Sequence, residues 1–220
     1  MIDYLFLGPL GWDENIWNKL VMNLEGKTYD FINYFDHDDI CTSYLINELK
    51  EKINTLKDTG TIIACSYGSR FLLYSLDKLN IQKKRIILIE GFDEIKDIDS
   101  IKSYLDNRRE EFETVEEYLD IMADEKEKED YIIKQCITKT LIKHENTYKV
   151  KCNNNKMIKY LSILSEIDNY NLINNLKRKN NNEYIIFSSS MEIGDIPYIK
   201  ISEKEHLLML SSPQKIELYL

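Results

Sequence analysis

The residues that could do chemistry converge on one serine. Ser66 lies between the apolar run Thr61-Ile62-Ile63-Ala64-Cys65 and a second run, Phe71-Leu72-Leu73-Tyr74-Ser75-Leu76, with Tyr67-Gly68-Ser69-Arg70 between them. A buried strand that feeds directly into a helix leaves its linking residue in a strained backbone conformation, side chain raised beside the helix's first N–H groups. Ala64 and Gly68 supply small neighbours where strand and helix backbones come too close for large side chains. A hydroxyl is a poor nucleophile at neutral pH. It attacks a carbonyl only with an imidazole in reach to take its proton and a carboxylate to hold that imidazole's tautomer. The chain has 3 histidines, His37, His144 and His206, so any such mechanism draws on one of them. A serine capping an ordinary helix gives the same local pattern, and the rest of the chain has to decide.

Other chemistries find less support. The 4 cysteines, Cys41, Cys65, Cys136 and Cys152, are scattered, without a C-x-x-C pair or histidines at metal spacing, and read as reduced thiols. Asp36-His37-Asp38-Asp39 invites a metal, yet no second ligand group accompanies it, and acidic turn residues are common at a strand's end. A solvated loop is the better reading, and neither a metal nor a cofactor is expected.

The elements that must position Ser66 follow from hydrophobic periodicity. Tyr4-Leu5-Phe6-Leu7 reads as a buried strand ending in Gly8-Pro9-Leu10-Gly11-Trp12, with a helix through Asn15 to Leu20 beyond it. Tyr29 to Tyr34 is a second strand, and Thr42 to Lys57 a helix with apolar residues at Leu45, Ile46, Leu49, Ile53 and Leu56. After the Ser66 strand and its helix come strands at Arg85 to Gly91, Tyr184 to Phe187 and Pro197 to Ile201. Strands alternating with helices imply a parallel sheet. In such sheets the ligand crevice lies outside the carboxyl ends of the strands, which is where Gly8, His37, Ser66 and Glu90 fall. From Asp93 to about Asn182 the chain turns charged and mostly helical, with no convincing strand pattern.

Composition bounds the class. With 220 residues the chain suits one sizeable α/β domain carrying an insertion. Its 29 basic against 38 acidic residues give a net charge of −9, which repels a nucleic-acid backbone or an anionic membrane over most of the surface. No stretch approaches the roughly 20 apolar residues of a membrane span, and no signal-peptide pattern opens the chain. A soluble, cytoplasmic protein is expected, with neither nucleic acid nor membrane as a partner.

Ala64-Cys65-Ser66-Tyr67-Gly68 resembles the nucleophile elbow G-x-S-x-G of the α/β-hydrolase superfamily, with alanine for the first glycine. The Gly8 to Trp12 turn is similar to that superfamily's H-G-x-G loop, and Trp17 matches a tryptophan that recurs shortly after it. Leu7 stands where histidine is usual, and Pro9 has no N–H to donate. The resemblance therefore implies an oxyanion hole built from the amides of Tyr67 and Leu10. Ser202 to Ile216 looks like the end of the superfamily's chain, which makes His206 the base. The acid usually follows the preceding strand, which implies Glu192, with Asp195 as an alternative there and Asp93, after the fourth strand, as another.

What the resemblance implies overall is an α/β-hydrolase fold, a mostly parallel six-stranded sheet flanked by helices. Residues 1–92 and 166–220 form its core and 93–165 a helical cap insertion; an ordinary helical subdomain is the alternative for that segment. It further implies a small serine carboxylesterase or thioesterase, without the usual first two antiparallel strands. Serine at the elbow points to acyl transfer from an ester or thioester. Two other readings stand beside it. One is a degenerate hydrolase kept as a binding module. The other is a thioesterase acting on an acyl carrier protein, for which Lys83-Lys84-Arg85, Arg108-Arg109 and Lys177-Arg178-Lys179 are available basic runs.

Overall fold

The computed structural model describes residues 1–32, 41–92, 98–165, 174, 183–189, 196–202 and 205–220. Its frame is a 6-stranded sheet built from β1 (Ile2–Leu7), β2 (Tyr29–Ile32), β3 (Leu56–Cys65), β4 (Arg85–Ile89), β8 (Tyr184–Ser188) and β9 (Ile199–Lys200), in the spatial order β2-β1-β3-β4-β8-β9. Every pairing in it is parallel. Because side chains alternate across a strand, one set faces each side. Leu5, Leu7, Ile62, Ala64, Ile86 and Leu88 meet α2 (Thr42–Thr55) and α3 (Tyr67–Ser75) on one face. Tyr4, Phe6, Ile63, Cys65, Ile87 and Ile89 meet Ile16, Trp17, Leu20 of α1 (Asn18–Val21) and the closing helices Leu208–Ser211 and Pro213–Glu217 on the other. Apolar contact on both faces explains why the central strands are continuous apolar runs.

Register places the chemistry. Leu7 pairs with Ala64, and Cys65 pairs with Ile89, so Gly8, Ser66 and Glu90 emerge at adjacent strand ends. Trp17, fully buried, packs its ring 4.9 Å from that of Phe6 and anchors the turn after β1 against the sheet. The short 3₁₀ turn that carries it, Glu14–Trp17, begins at Asp13, whose carboxylate accepts from the Asn15 amide.

The segment between β4 and β8 is mostly helical in its described residues, as its periodicity suggested, but it also holds strands, which corrects the expectation that it has none. It contains α4 (Ile98–Asn107), α5 (Val115–Met122), α6 (Glu125–Glu129), α7 (Tyr131–Lys139) and α8 (Asn154–Ser165). It also contains a 3-stranded antiparallel sheet, β5-β7-β6, made of β5 (Glu111–Phe112), β6 (Leu141–His144) and β7 (Thr147–Val150). Strands of 2 and 4 residues are too short to show a period of two. The hairpin between β6 and β7 also hides its turn, since the positive-φ position is Glu145 (φ 52) where glycine would have announced it. The helices there are capped conventionally: Thr114 starts α5, Asp124 and Glu127 form a capping box on α6, and Asp130 accepts from the Ile132 and Ile133 amides at α7.

Phe112, Tyr118, Leu119, Ile137, Leu141 and Val150 give this insertion a small core of its own. Trp12 packs against both that core and the sheet's second face, so it is wedged in the seam. α8 behaves differently from the rest of the insertion. Its Tyr160 and Leu164 are fully buried in the core formed with α2 and α3. Two boundaries shift as well: Leu56 opens β3 instead of closing α2, and β9 spans two residues.

Candidate active site

The elbow forms because the chain has no room to do anything else. Ser66 takes φ 52 and ψ −114, a conformation that costs a non-glycine residue about 1–3 kcal/mol and persists only where neighbours enforce it. The Ser66 amide donates to Ile89 O at 2.7 Å, and Ser66 O accepts from the Arg70 amide at 3.1 Å. The Ser69 hydroxyl reaches back to Ala64 O at 2.9 Å and Ile89 O at 3.2 Å, locking the first turn of α3 to β3 and β4. Gly68 lies against β1, where a Cβ would stand 2.3 Å from Leu7 O. Gly91 (φ 91) closes the other side: a Cβ there would stand 2.1 Å from Ser66 O.

His206 arrives from the opposite direction. It sits in the loop after β9, and its Nε2 lies 3.2 Å from Ser66 Oγ. That loop is held by its neighbour Glu205, whose carboxylate accepts from the Ser202 amide at 3.0 Å, the Ser212 hydroxyl at 2.9 Å and Lys215 Nζ at 2.5 Å. The Lys215 ammonium and the other donors hold the Glu205 carboxyl down to about 2. Beneath the loop the fully buried Cys65 thiol donates to His206 O at 3.7 Å. Burial, reinforced by the Glu90 carboxylate, pushes that thiol well up, so it serves as packing and a brace.

Ser66, His206, Tyr67 and Leu10 come together around a cavity of about 320 Å³, completed chiefly by Trp12, Leu161 and Leu207. Tyr67 lends the cavity an apolar body. Its hydroxyl donates to Tyr160 O at 3.2 Å, and burial raises its pKa well above that of a free phenol. Arg70 also reaches the cavity, but it is buried, and its Nε and Nη2 both lie 3.4 Å from Leu164 O on α8. Glu90, 1 % exposed at φ 55, accepts from the Ser189 amide at 2.8 Å and ties the ends of β4 and β8 together. Glu192, Asp195 and Asp93 lie outside the described residues, as does the Asp36 to Asp39 cluster with His37. His144 lies in the β6–β7 hairpin of the insertion.

No family model matches the sequence, and no curated protein does. Solved structures do. The chain superposes on an E-2-(acetamidomethylene)succinate hydrolase with a TM-score of 0.75 and 13% identity, covering 98% of this chain and 88% of that one. A peroxisomal alpha-beta-hydrolase of Saccharomyces cerevisiae gives 0.63 and 14% identity, with 98% and 74% covered. The chain has the α/β-hydrolase fold. The thioesterase domain from the curacin biosynthetic pathway shares it, with a TM-score of 0.62, 10% identity and coverage of 98% and 89%.

Within this α/β-hydrolase fold, four features of the site were not read from the sequence. Gly91 carried a signal, a glycine just past a strand beside the elbow. Glu205 carried a weaker one, a carboxylate next to the candidate base with a lysine ten positions on. The wedge of Trp12 and the pairing of Asp13 with Lys151 at 3.0 Å carried none, because both depend on where the insertion folds back.

Proposed function

We propose that this chain is a serine hydrolase that cleaves a carboxylic ester or thioester through an acyl-serine intermediate. The observation that carries the reading is the 3.2 Å approach of His206 Nε2 to Ser66 Oγ, with the serine in an enforced, strained elbow at a largely apolar cavity. The imidazole takes the Ser66 proton as Oγ attacks the carbonyl carbon. The tetrahedral oxyanion lies against the Tyr67 and Leu10 amides, and collapse expels the alcohol or thiol, protonated by His206. Water, deprotonated by the same imidazole, then attacks the acyl-serine and releases the acid. Glu192 is assigned to hold the imidazole's tautomer, with Asp195 and Asp93 as the alternatives.

The lining supports an apolar acyl group, since Leu10, Trp12, Leu161 and Leu207 surround the nucleophile. A thioester leaving group is the second reading, supported by the likeness to a thioesterase domain. Delivery by an acyl carrier gains little from Lys83-Lys84-Arg85, which lie at the amino ends of the strands, opposite Ser66. Arg108 and Arg109 are engaged inside the insertion with Asn154, Cys152 O, Glu111 O and Glu117, and Lys177-Arg178-Lys179 lie outside the described residues.

Fluorophosphonate labelling tests the reading. The natural chain is expected to label, and Ser66→Ala and His206→Ala to lose labelling and ester turnover, by up to about a millionfold in turnover where the dyad acts as one unit. A folded chain that does not label leaves the binding-module reading in its place.

A further inference from the structure

The insertion reaches across to the loop that follows β1. We infer that the ion pair between the buried Asp13 carboxylate and the partly exposed Lys151 ammonium is a positioning device through which the insertion sets the Leu10 amide, an inference that rests on the acyl-transfer reading. The loop in question is short and tightly turned: the Trp12 amide donates to Pro9 O at 3.4 Å, and Gly11 takes φ 91. Its far end is Asp13, with a side chain only 3% exposed. One carboxylate oxygen accepts from the Asn15 amide at 3.1 Å and the Asn15 side chain at 2.9 Å. The other takes Lys151 Nζ at 3.0 Å.

Lys151 belongs to the insertion. It follows β7, and its own amide donates to Thr140 O at 2.9 Å, so the small antiparallel sheet fixes where its ammonium stands. A second tether runs in parallel, from the Cys136 thiol of α7 to Asn15 O at 2.8 Å. The turn that presents Leu10 is thus held from behind by groups more than a hundred positions later in the chain. Removing the ammonium leaves a nearly dry carboxylate with only Asn15 as donor, and such a group draws in water and shifts. An oxyanion donor tolerates little displacement, because its contribution is made only at the transition-state geometry.

The experiment uses the full chain with a short-chain p-nitrophenyl ester, comparing Lys151→Met and Lys151→Arg with the natural protein. It also measures backbone hydrogen exchange across residues 8–15. Lys151→Met is expected to speed exchange in that loop and lower kcat by about tenfold with KM little changed. Lys151→Arg, which keeps the charge, restores both. Unchanged exchange, a loss that falls on KM, or an arginine variant no better than methionine overturns the inference. A natural chain that turns over no ester and takes no fluorophosphonate sinks the acyl-transfer reading and this inference together. An active natural chain beside an equally active Lys151→Met overturns the inference alone.

Discussion

The two loops that meet at the cavity are held in opposite ways. The elbow after β3 is enforced by its immediate surroundings: Ser69 bonded to Ala64 O and Ile89 O, Gly68 pressed on Leu7, Gly91 pressed on Ser66. The loop after β1 has its own turn at Pro9 to Trp12 and Trp17 beneath it, but its far end is also held from a distance. It is tied at Asp13 and Asn15 by Lys151 and Cys136, both in the insertion, and wedged by Trp12 into the insertion's core. The position of Ser66, the proposed nucleophile, is therefore specified by the sheet, whereas the oxyanion donor proposed opposite it depends on a segment that other chains of this fold can vary independently.

The largest expected effect comes from breaking the elbow. In Gly91→Ala the new methyl would stand 2.1 Å from Ser66 O on a backbone at φ 91, a position with no flexible side chain to give way. Strain and overpacking together are expected to cost about 3 kcal/mol or more. Gly68→Ala meets Leu7 O at 2.3 Å and is expected to be comparably damaging. Urea unfolding measures both, and fluorophosphonate labelling of whatever remains folded shows whether Ser66 still presents its hydroxyl. If Gly91→Ala unfolds at the natural midpoint and labels normally, the elbow is not enforced from that side.

This contrast also explains what the sequence could show. Ser66, Gly68 and the apolar strands around them announce themselves because the constraints act between near neighbours and leave small residues at fixed spacing. His206 was found through its setting after the last strand, and the structure brings it to 3.2 Å from Ser66. The insertion's sheet was missed because strands this short carry no period and Glu145 replaces a turn glycine. Asp13 caps the turn that carries Trp17, and nothing local distinguishes such a cap from one that also pairs with Lys151.

A middle-sized effect is expected at Glu205, which braces the His206 loop as Gly91 braces Ser66, but through polar groups in place of steric contact. Its carboxyl is held to about 2 against an ordinary 4.5, so the folded state favours the charged form. That contribution is complete above the unfolded value and fades as pH falls from about 4.5 through about 2. Glu205→Gln should destabilise the chain by on the order of 1 kcal/mol at pH 6, a modest figure because Lys215 is partly solvated. The gap to the natural protein should narrow at pH 3. Turnover should fall several-fold with KM little affected, since a looser loop misplaces His206. A constant gap across that pH range would show that the hydrogen bonds, and not the charge, hold the loop.

The smallest effect is expected farthest from the site, and its smallness is the informative result. The amino ends of the strands hold a polar concavity of about 400 Å³ with Lys27, Lys57, Lys83, Lys84 and Arg85 among its lining residues. Several of these cations are already engaged: Lys57 with Asp3, Arg85 with Glu183, and Lys84 with Leu56 O and Lys57 O. Lys83 is exposed and lies at the opposite end of the sheet from Ser66. The packed sheet lies between an acidic carrier docked there and Ser66, so its acyl group has no direct path to the proposed site. Lys83→Glu is therefore expected to leave turnover of both a free thioester and a carrier-bound one within about twofold of the natural chain, as for a screened surface charge. A selective loss on the carrier-bound substrate, steep at low salt and absent at high salt, would relocate the docking face to this end of the molecule. It would also require a route to Ser66 around the edge of the sheet, where β2 or β9 is the last strand.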